Sequence, residues 1–252
     1  MPVRCAAELI IVIMFSRLRV PVKLVNTGKT RTQTPVTMKQ ALTPLEGQEG
    51  FAVPRYLRGR KTTERLLEAG RRLLRDRALD QVPIQDICAH AGVTTGAFYS
   101  RFDGKESYFR ALQTLLVAQL RDGMAERVAL FDAGQQTLRE AVESLARNNR
   151  MWAYRNEGVL RASLIERAIT GEDPLKRLNQ DYVELVVPRL AQLHPAGASP
   201  GLEMRIRFAY QAMVGTVIYT LVNRTGTYRL SDRRLEAEMA RAFYLYITEE
   251  LE

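Results

Sequence analysis

The residue types that carry most metal and acid–base chemistry are scarce in this sequence. Its 252 residues include two cysteines, Cys5 and Cys88, and two histidines, His90 and His194. None of them has the spacing of a metal site, and the cysteines form no disulfide framework. We therefore expect no metal and no cofactor. Cys88 falls on the apolar side of a short predicted helix, which indicates a small core residue.

Catalytic arrangements are also missing. The sequence shows no Ser/His/Asp, Cys/His or paired-carboxylate constellation, and two histidines leave little scope for general acid–base catalysis. We therefore predict that the protein is not an enzyme.

Long apolar runs are absent as well. The run at residues 6–15 is too short for a bilayer, which needs about 20 residues. Only Arg4 precedes it and a poor cleavage site follows it, so a signal peptide is disfavoured. We expect no membrane partner and a cytoplasmic location.

The first 55 residues differ from the rest of the chain. Residues 26–37 are polar and rich in threonine, a composition typical of disorder. We interpret residues 1–55 as a disordered or mis-annotated N-terminal extension. The leading explanation is that Met38 is the true start, the second is a flexible basic arm that touches DNA, and the third is a membrane anchor.

The net charge of +9 is concentrated in the N-terminal part. Residues 1–50 hold 7 Lys and Arg against 3 Asp and Glu, and residues 51–110 hold 12 against 7. Residues 111–252 hold 18 of each kind. A basic module joined to a neutral one favours a polyanion-binding face, although a solvated basic face would explain the charge equally well.

Helical periodicity takes over from about Thr62, and no strand pattern or internal repeat is visible. Glycine and proline mark the breaks between helices, and Pro188 is expected to kink the helix that contains it. The predicted fold is all-α, with helices at 60–76, 84–90, 95–102, 105–130, 135–153, 156–170, 173–193, 202–223 and 231–251.

Residues 84–102 have the pattern of a helix-turn-helix. Ile84, Ile87 and Cys88 would face inward, and Gly92 would supply the positive φ that ends the first of the two helices. Phe98 and Phe102 would anchor the second helix to the core. Its outward residues are small, hydroxyl-bearing or cationic, and would leave it free to enter a DNA groove: Thr95, Gly96, Tyr99, Ser100 and Arg101.

The run from Asp86 to Glu106 resembles the TetR signature D-I-A-x-x-A-G-V-S/T-x-G-x-L/F-Y-x-H-F-x-x-K-E. Residues 66–70 are similar to the first helix of that family, so the resemblance covers about residues 60–110. It implies an N-terminal three-helix helix-turn-helix DNA-binding domain at 56–108. A C-terminal helical ligand-binding and dimerisation domain would follow at 109–252.

The resemblance also implies which residues contact DNA. Two positions depart from the family pattern: Pro83 replaces a frequent phosphate-binding hydroxyl, and Arg101 replaces the usual histidine with a permanent cation. The alternative for Tyr99 is a place in the core. For Lys105 the alternative is a solvated side chain, and for Arg101 it is an ion pair with Asp103. The expected DNA contacts are Thr94, Thr95, Gly96, Tyr99, Ser100, Arg101 and Lys105, with Arg58, Arg60 and Lys61 ahead of the helix-turn-helix.

Length and the resemblance together favour a homodimer, because one helix-turn-helix reads few base pairs and two copies read a palindromic operator. The last two helices are the expected interface, through residues 208, 209, 212, 213, 215, 216 and 219 and residues 242, 243, 245, 246 and 251. A pocket for a small, partly apolar effector would lie between the middle helices. Ordinary core packing is the alternative for both sets. The expected pocket residues are Met124, Trp152, Tyr154, Leu160, Arg161, Tyr182 and Tyr210, with Ile165, Asn148 and Asn149 beside them.

The sequence thus predicts a DNA-binding transcriptional regulator, a dimeric repressor that a small molecule releases from its operator. The alternative is a structural or nucleoid-associated DNA-binding factor of the same fold that has no ligand. An all-α enzyme with a vestigial DNA-binding head is the third hypothesis, which the missing catalytic constellation disfavours.

Overall fold

The computed structural model describes residues 42–134, 136–171, 175–223 and 226–249. These residues form nine α-helices and no strand, so the predicted all-α fold is confirmed. The apolar run at 6–15, Cys5, Met38, Pro174 and Leu251 lie outside the described residues. The helices are α1 (Leu57–Asp76), α2 (Ile84–Ala91), α3 (Thr95–Tyr99), α4 (Lys105–Asp132), α5 (Leu138–Arg155), α6 (Glu157–Thr170), α7 (Lys176–Gln192), α8 (Pro200–Val222) and α9 (Arg233–Thr248).

Residues 42–56, here called the N-terminal strap, pack against the helix-turn-helix and α4. Leu42, Leu45 and Phe51 are buried, and Phe51 pairs with Phe102 in an isolated antiparallel bridge. The Gln48 side chain also donates to the carbonyl of Ser107, at 3.2 Å. These apolar side chains therefore lie in the same core as the helices that follow.

The same bridge directly follows α3. The helix was expected to reach Phe102 but ends at Tyr99. The Ala52 amide donates to the carbonyl of Arg101 at 2.8 Å, and the Asp103 amide donates to Gly50 at 3.1 Å. The Arg101 carbonyl and the Asp103 amide therefore bond to the strap, while the Phe102 amide still donates to the carbonyl of Phe98 at 3.0 Å.

An aromatic cluster holds the N-terminal helices together. The ring of Tyr108 lies 5.3 Å from that of Phe98 and 5.1 Å from that of Phe102, centre to centre. The Tyr108 hydroxyl donates to the carbonyl of Leu66 at 2.7 Å. Burial raises the pKa of Tyr108, so its hydroxyl stays protonated and keeps this bond. The cluster fixes α3 and α4 against α1.

The remaining helices pack into one larger helical body. The guanidinium of Arg150, on α5, is buried and pairs with Glu236 of α9 at 2.7 Å. Asp132 at the end of α4 pairs with Arg189 of α7 at 2.8 Å. Polar bonds therefore add to the apolar core in fixing helix positions.

Close packing joins this body to α1. Gly158, at the start of α6, lies so near α1 that a Cβ on it would be 2.4 Å from the carbonyl carbon of Leu74. The side chain of Arg161 donates to the carbonyl of Arg75 at 2.9 Å. The first turns of α6 therefore contact the last turn of α1 directly.

Candidate nucleic-acid interface

The turn between α2 and α3 has the backbone geometry that the sequence predicts. Gly92 ends α2 with φ of 61°, and its amide donates to the carbonyl of Ala89 at 3.1 Å. The side chain of Arg65, on α1, donates to the Gly92 carbonyl at 3.0 Å. A side chain at position 92 would be strained by this left-handed φ. The glycine and the arginine together set the angle at which α3 leaves the turn.

Thr94 caps the start of α3. The hydroxyl oxygen of Thr94 accepts from the Ala97 amide at 3.2 Å, as an N-cap does. Phe98 is fully buried and faces the core, whereas Tyr99 is 58% exposed. The core role considered for Tyr99 is therefore wrong. Thr95, Gly96 and Ser100 are exposed as well.

Arg101 lies beside α1 and is half-buried. Its Nη1 donates to the hydroxyl of Ser100 at 2.6 Å, and no ion pair with Asp103 is found among the described residues. Its Nη2 lies 3.1 Å from where a Cβ on Gly59 would sit. Its Nε is buried and has no hydrogen-bond partner in the described part of the chain. The guanidinium is thus held in place with donor capacity to spare.

Lys105 begins α4 and is half-buried. Its ammonium donates to the carbonyl of Asp80 at 3.2 Å, which ties α4 to the loop before α2. An ammonium carries three donors, so this bond leaves two for another acceptor. Lys105 is therefore anchored rather than freely solvated.

A groove runs between the strap, α1 and α3, with a volume of about 920 Å³. It contains Arg58, Lys61 and Arg101 from the predicted set, whereas the half-buried Arg60 is not part of its wall. Sequence reasoning missed Arg55 and Arg65, which also line it. The high density of arginine between residues 55 and 65 was the available signal.

Two of the expected effector residues meet in the C-terminal helices. The rings of Tyr182 and Tyr210 lie 6.0 Å apart, and the Tyr210 hydroxyl donates to Asn179 at 3.2 Å. Arg127 of α4 donates to the Tyr182 hydroxyl at 2.7 Å. Sequence reasoning missed Arg127 and Asn179, because their partners are distant in the chain.

The other expected effector residues have different surroundings. Arg161 binds carbonyls at the end of α1, and Tyr154 is 37% exposed. Trp152 is half-buried, and its Nε1 has no hydrogen-bond partner among the described residues. Met124 and Leu160 are buried core residues.

A comparison with known protein families finds a match in the N-terminal helices. Residues 66–112 match the model of the bacterial regulatory proteins, tetR family. The chain carries a DNA-binding domain of the TetR type. The match spans the second half of α1, all of α2 and α3, and the first turns of α4, and it leaves out the strap.

Solved structures of similar proteins include two regulators of this family. A TetR transcriptional regulator from Rhodococcus sp. RHA1 is 18% identical, with 78% of this chain and 100% of that chain covered and a TM-score of 0.43. A regulator of the TetR/AcrR family from Thermobifida fusca YX-ER1 is 18% identical, with 75% and 98% covered and a TM-score of 0.49. No curated protein matches the chain. Within the part of the chain that the structure describes, no helix combines the length and apolarity needed to cross a bilayer.

Proposed function

We propose that this TetR-family regulator is a cytoplasmic, dimeric repressor, not an enzyme, and that a small-molecule effector releases it from a palindromic operator. The proposal rests on the outer face of α3, which has no acidic side chain. Thr95, Tyr99 and Ser100 are exposed there, with the cation of Arg101 beside them. A polyanion can approach this face without meeting a carboxylate.

On DNA, α3 would enter the major groove and the surrounding residues would hold the backbone. Thr95, Ser100 and Arg101 would meet base edges or nearby phosphates, and Gly96 allows close approach of the backbone. Thr94, Tyr99 and Lys105 would bond to phosphates, as would Arg58, Arg60 and Lys61 ahead of them.

An exposed apolar stripe on α8 supports the dimer. Its members recur at three- and four-residue spacing on one side of the helix, and the core of the chain leaves them uncovered. Two copies related by a two-fold axis would cover the same stripe on each other and present two reading heads. The stripe consists of Met204, Phe208, Ala212, Gly215, Tyr219 and Val222.

The effector would bind among α4, α7 and α8, where Arg127, Tyr182 and Tyr210 combine aromatic rings with polar groups. The α1–α6 contact at Gly158 and Arg161 connects this helical body to the DNA-binding helices. An effector that favours a different α6 position would alter the spacing of the two reading heads, and such coupling is typically about 1–3 kcal/mol. A thermal-shift screen against small apolar molecules tests for an effector, and a uniformly negative screen would favour the ligand-free alternative.

DNA binding is tested first with duplexes from the promoters of the protein's own gene and its neighbours. The Arg101→Ala and Lys105→Ala variants are each expected to bind more weakly, by about 1–3 kcal/mol, because each loses a charged contact. Gel-shift titration measures the affinity. Arg121→Ala, an exposed arginine in the middle of α4, is the matched control and should bind as the wild type does. Unchanged affinity in both Arg101→Ala and Lys105→Ala would contradict the site assignment.

The dimer is tested by placing a charge at the centre of the apolar stripe. Ala212→Glu is expected to give a monomer of about 28.6 kDa in sedimentation equilibrium, because two carboxylates would face each other across the axis. Ala129→Glu makes the same change at an exposed position of α4 and should leave the dimer intact. A wild-type monomer, or a dimeric Ala212→Glu variant, would rule out this interface.

A further inference from the structure

The groove between the strap and α3 has an unusually one-sided charge. Five cations line it, and none of its described lining residues is acidic. Surface arginines commonly have carboxylate neighbours, as Arg72 does with Glu68. A concave surface lined by one sign of charge focuses its field and attracts a polyanion. The five are Arg55, Arg58, Lys61, Arg65 and Arg101.

The interior of the groove offers unused hydrogen-bond donors. Arg101 lines it and has a buried Nε with no partner among the described residues. Gly59 lets the Arg101 guanidinium lie close to α1, since a Cβ there would come within 3.1 Å of Nη2. A buried donor without an acceptor costs free energy. The guanidinium has five N–H donors, its described hydrogen bonds use only Nη1, and an anionic oxygen in the groove would form charge-assisted bonds with donors that remain.

The strap forms the outer wall of the groove and packs against the helical core. Its bridge to Phe102 and the burial of Pro54 hold the backbone on both sides of Val53. Immediately beyond, Tyr56 is 80% exposed and Leu57 is 68% exposed. Arg55 is also exposed and has no hydrogen bond or ion pair in the described structure. In this packed arrangement the strap presents a free cation and an aromatic ring beside α3.

We propose that the end of the strap is a second DNA-contact element, in which Arg55 and Tyr56 grip the sugar–phosphate backbone next to the half-site that α3 reads. The groove receives that strand, with Arg58, Lys61 and Arg101 on its other side. The Tyr56 hydroxyl donates to a phosphate oxygen, and the Arg55 guanidinium pairs with the same or the next phosphate. The inference rests on the proposed DNA-binding function and extends it to residues outside the family match.

The test uses the full-length protein and a duplex that the wild type selects from a random library. Arg55→Ala removes one phosphate contact per half-site, so the slope of log affinity against log salt should become shallower by about 0.9 for each half-site. At about 0.15 M salt that slope corresponds to roughly fivefold weaker binding per half-site. Tyr56→Phe, which removes only the hydroxyl, should weaken binding with little change in the slope.

Two controls separate a DNA contact from a structural effect. Arg55→Lys keeps the cation and should retain the wild-type slope, whereas Arg121→Ala removes a cation from the middle of α4 and should change neither slope nor affinity. All four variants should melt as the wild type does, because the substituted side chains are exposed.

The outcomes distinguish this inference from the function on which it rests. If the wild type selects no duplex, the proposed function fails and this inference fails with it. If the wild type binds its duplex and Arg55→Ala keeps both the affinity and the salt slope, only the strap contact is overturned. A shallower slope in Arg55→Ala, restored in Arg55→Lys, supports it.

Discussion

Replacing Gly158 with alanine is expected to lower the free energy of unfolding by about 1–3 kcal/mol, the usual cost of overpacking. The new Cβ would lie 2.4 Å from the carbonyl carbon of Leu74 and 2.6 Å from the amide nitrogen of Arg75. Both are backbone atoms inside or at the end of a helix, so neither can rotate away. The variant must move α6 off α1, and urea denaturation measures the loss.

The matched control for this substitution is Gly123→Ala in α4. A Cβ at position 123 meets only the Nη1 atom of Arg127, at an ordinary 3.6 Å. Alanine suits a helix interior better than glycine, by about 0.5–1 kcal/mol. We therefore expect a small gain in stability. Equal stability of the Gly158→Ala and Gly123→Ala variants would show that the α1–α6 contact is looser than the structure indicates.

Replacing Arg150 with leucine is expected to cost about 3–5 kcal/mol, the range for breaking a buried ion pair. The Arg150 side chain is 3% exposed. It pairs with Glu236 at 2.7 Å and donates to the carbonyl of Leu230 at 2.6 Å. Leucine would leave that carboxylate and that carbonyl without their donor between α5 and α9. Thermal and urea denaturation both measure the effect.

Two further variants isolate the buried charge as the cause. Arg72→Leu breaks an exposed pair with Glu68, whose side chain is 51% exposed, and should cost less than about 1 kcal/mol. The double variant Arg150→Leu/Glu236→Leu removes both charges and should recover part of the stability lost in Arg150→Leu. A double variant as unstable as the sum of its two single changes would show that packing, not charge, dominates.

Local sequence patterns predicted the helix-turn-helix well. Gly92 has the positive φ expected of it, Cys88 and Phe98 are buried, and α2 begins at Ile84 as predicted. Each of these features depends on residues within one or two helical turns. Short-range periodicity and backbone stereochemistry were therefore sufficient.

The strap could not be predicted in the same way. Leu42, Leu45 and Phe51 follow neither a helical nor a strand period, and Gly47 and Gly50 separate them. Their partners lie about 50 residues further along, in contacts that a local pattern does not encode. For the same reason, the sequence did not predict the hydrogen bond from Arg127 to the Tyr182 hydroxyl, because these residues are 55 positions apart.

Lys105 makes a structural contact that its position in the sequence does not indicate. Its position at the first residue of α4 matched the expectation, yet its ammonium also binds the carbonyl of Asp80. That carbonyl belongs to a loop whose path depends on the packing of α1 against α2. Only the three-dimensional structure supplies this contact.

The attachment of the strap to the helix-turn-helix has a consequence for the measured affinity for DNA. Two backbone hydrogen bonds, from Ala52 to Arg101 and from Asp103 to Gly50, secure its bridge. Segments held by few bonds open and close without global unfolding. If only the closed state forms the complete groove, the observed dissociation constant equals the intrinsic constant divided by the closed fraction. Substitutions that loosen the strap would then weaken operator binding without touching a single DNA contact, and the amides of Ala52 and Asp103 would exchange their hydrogens faster in proportion.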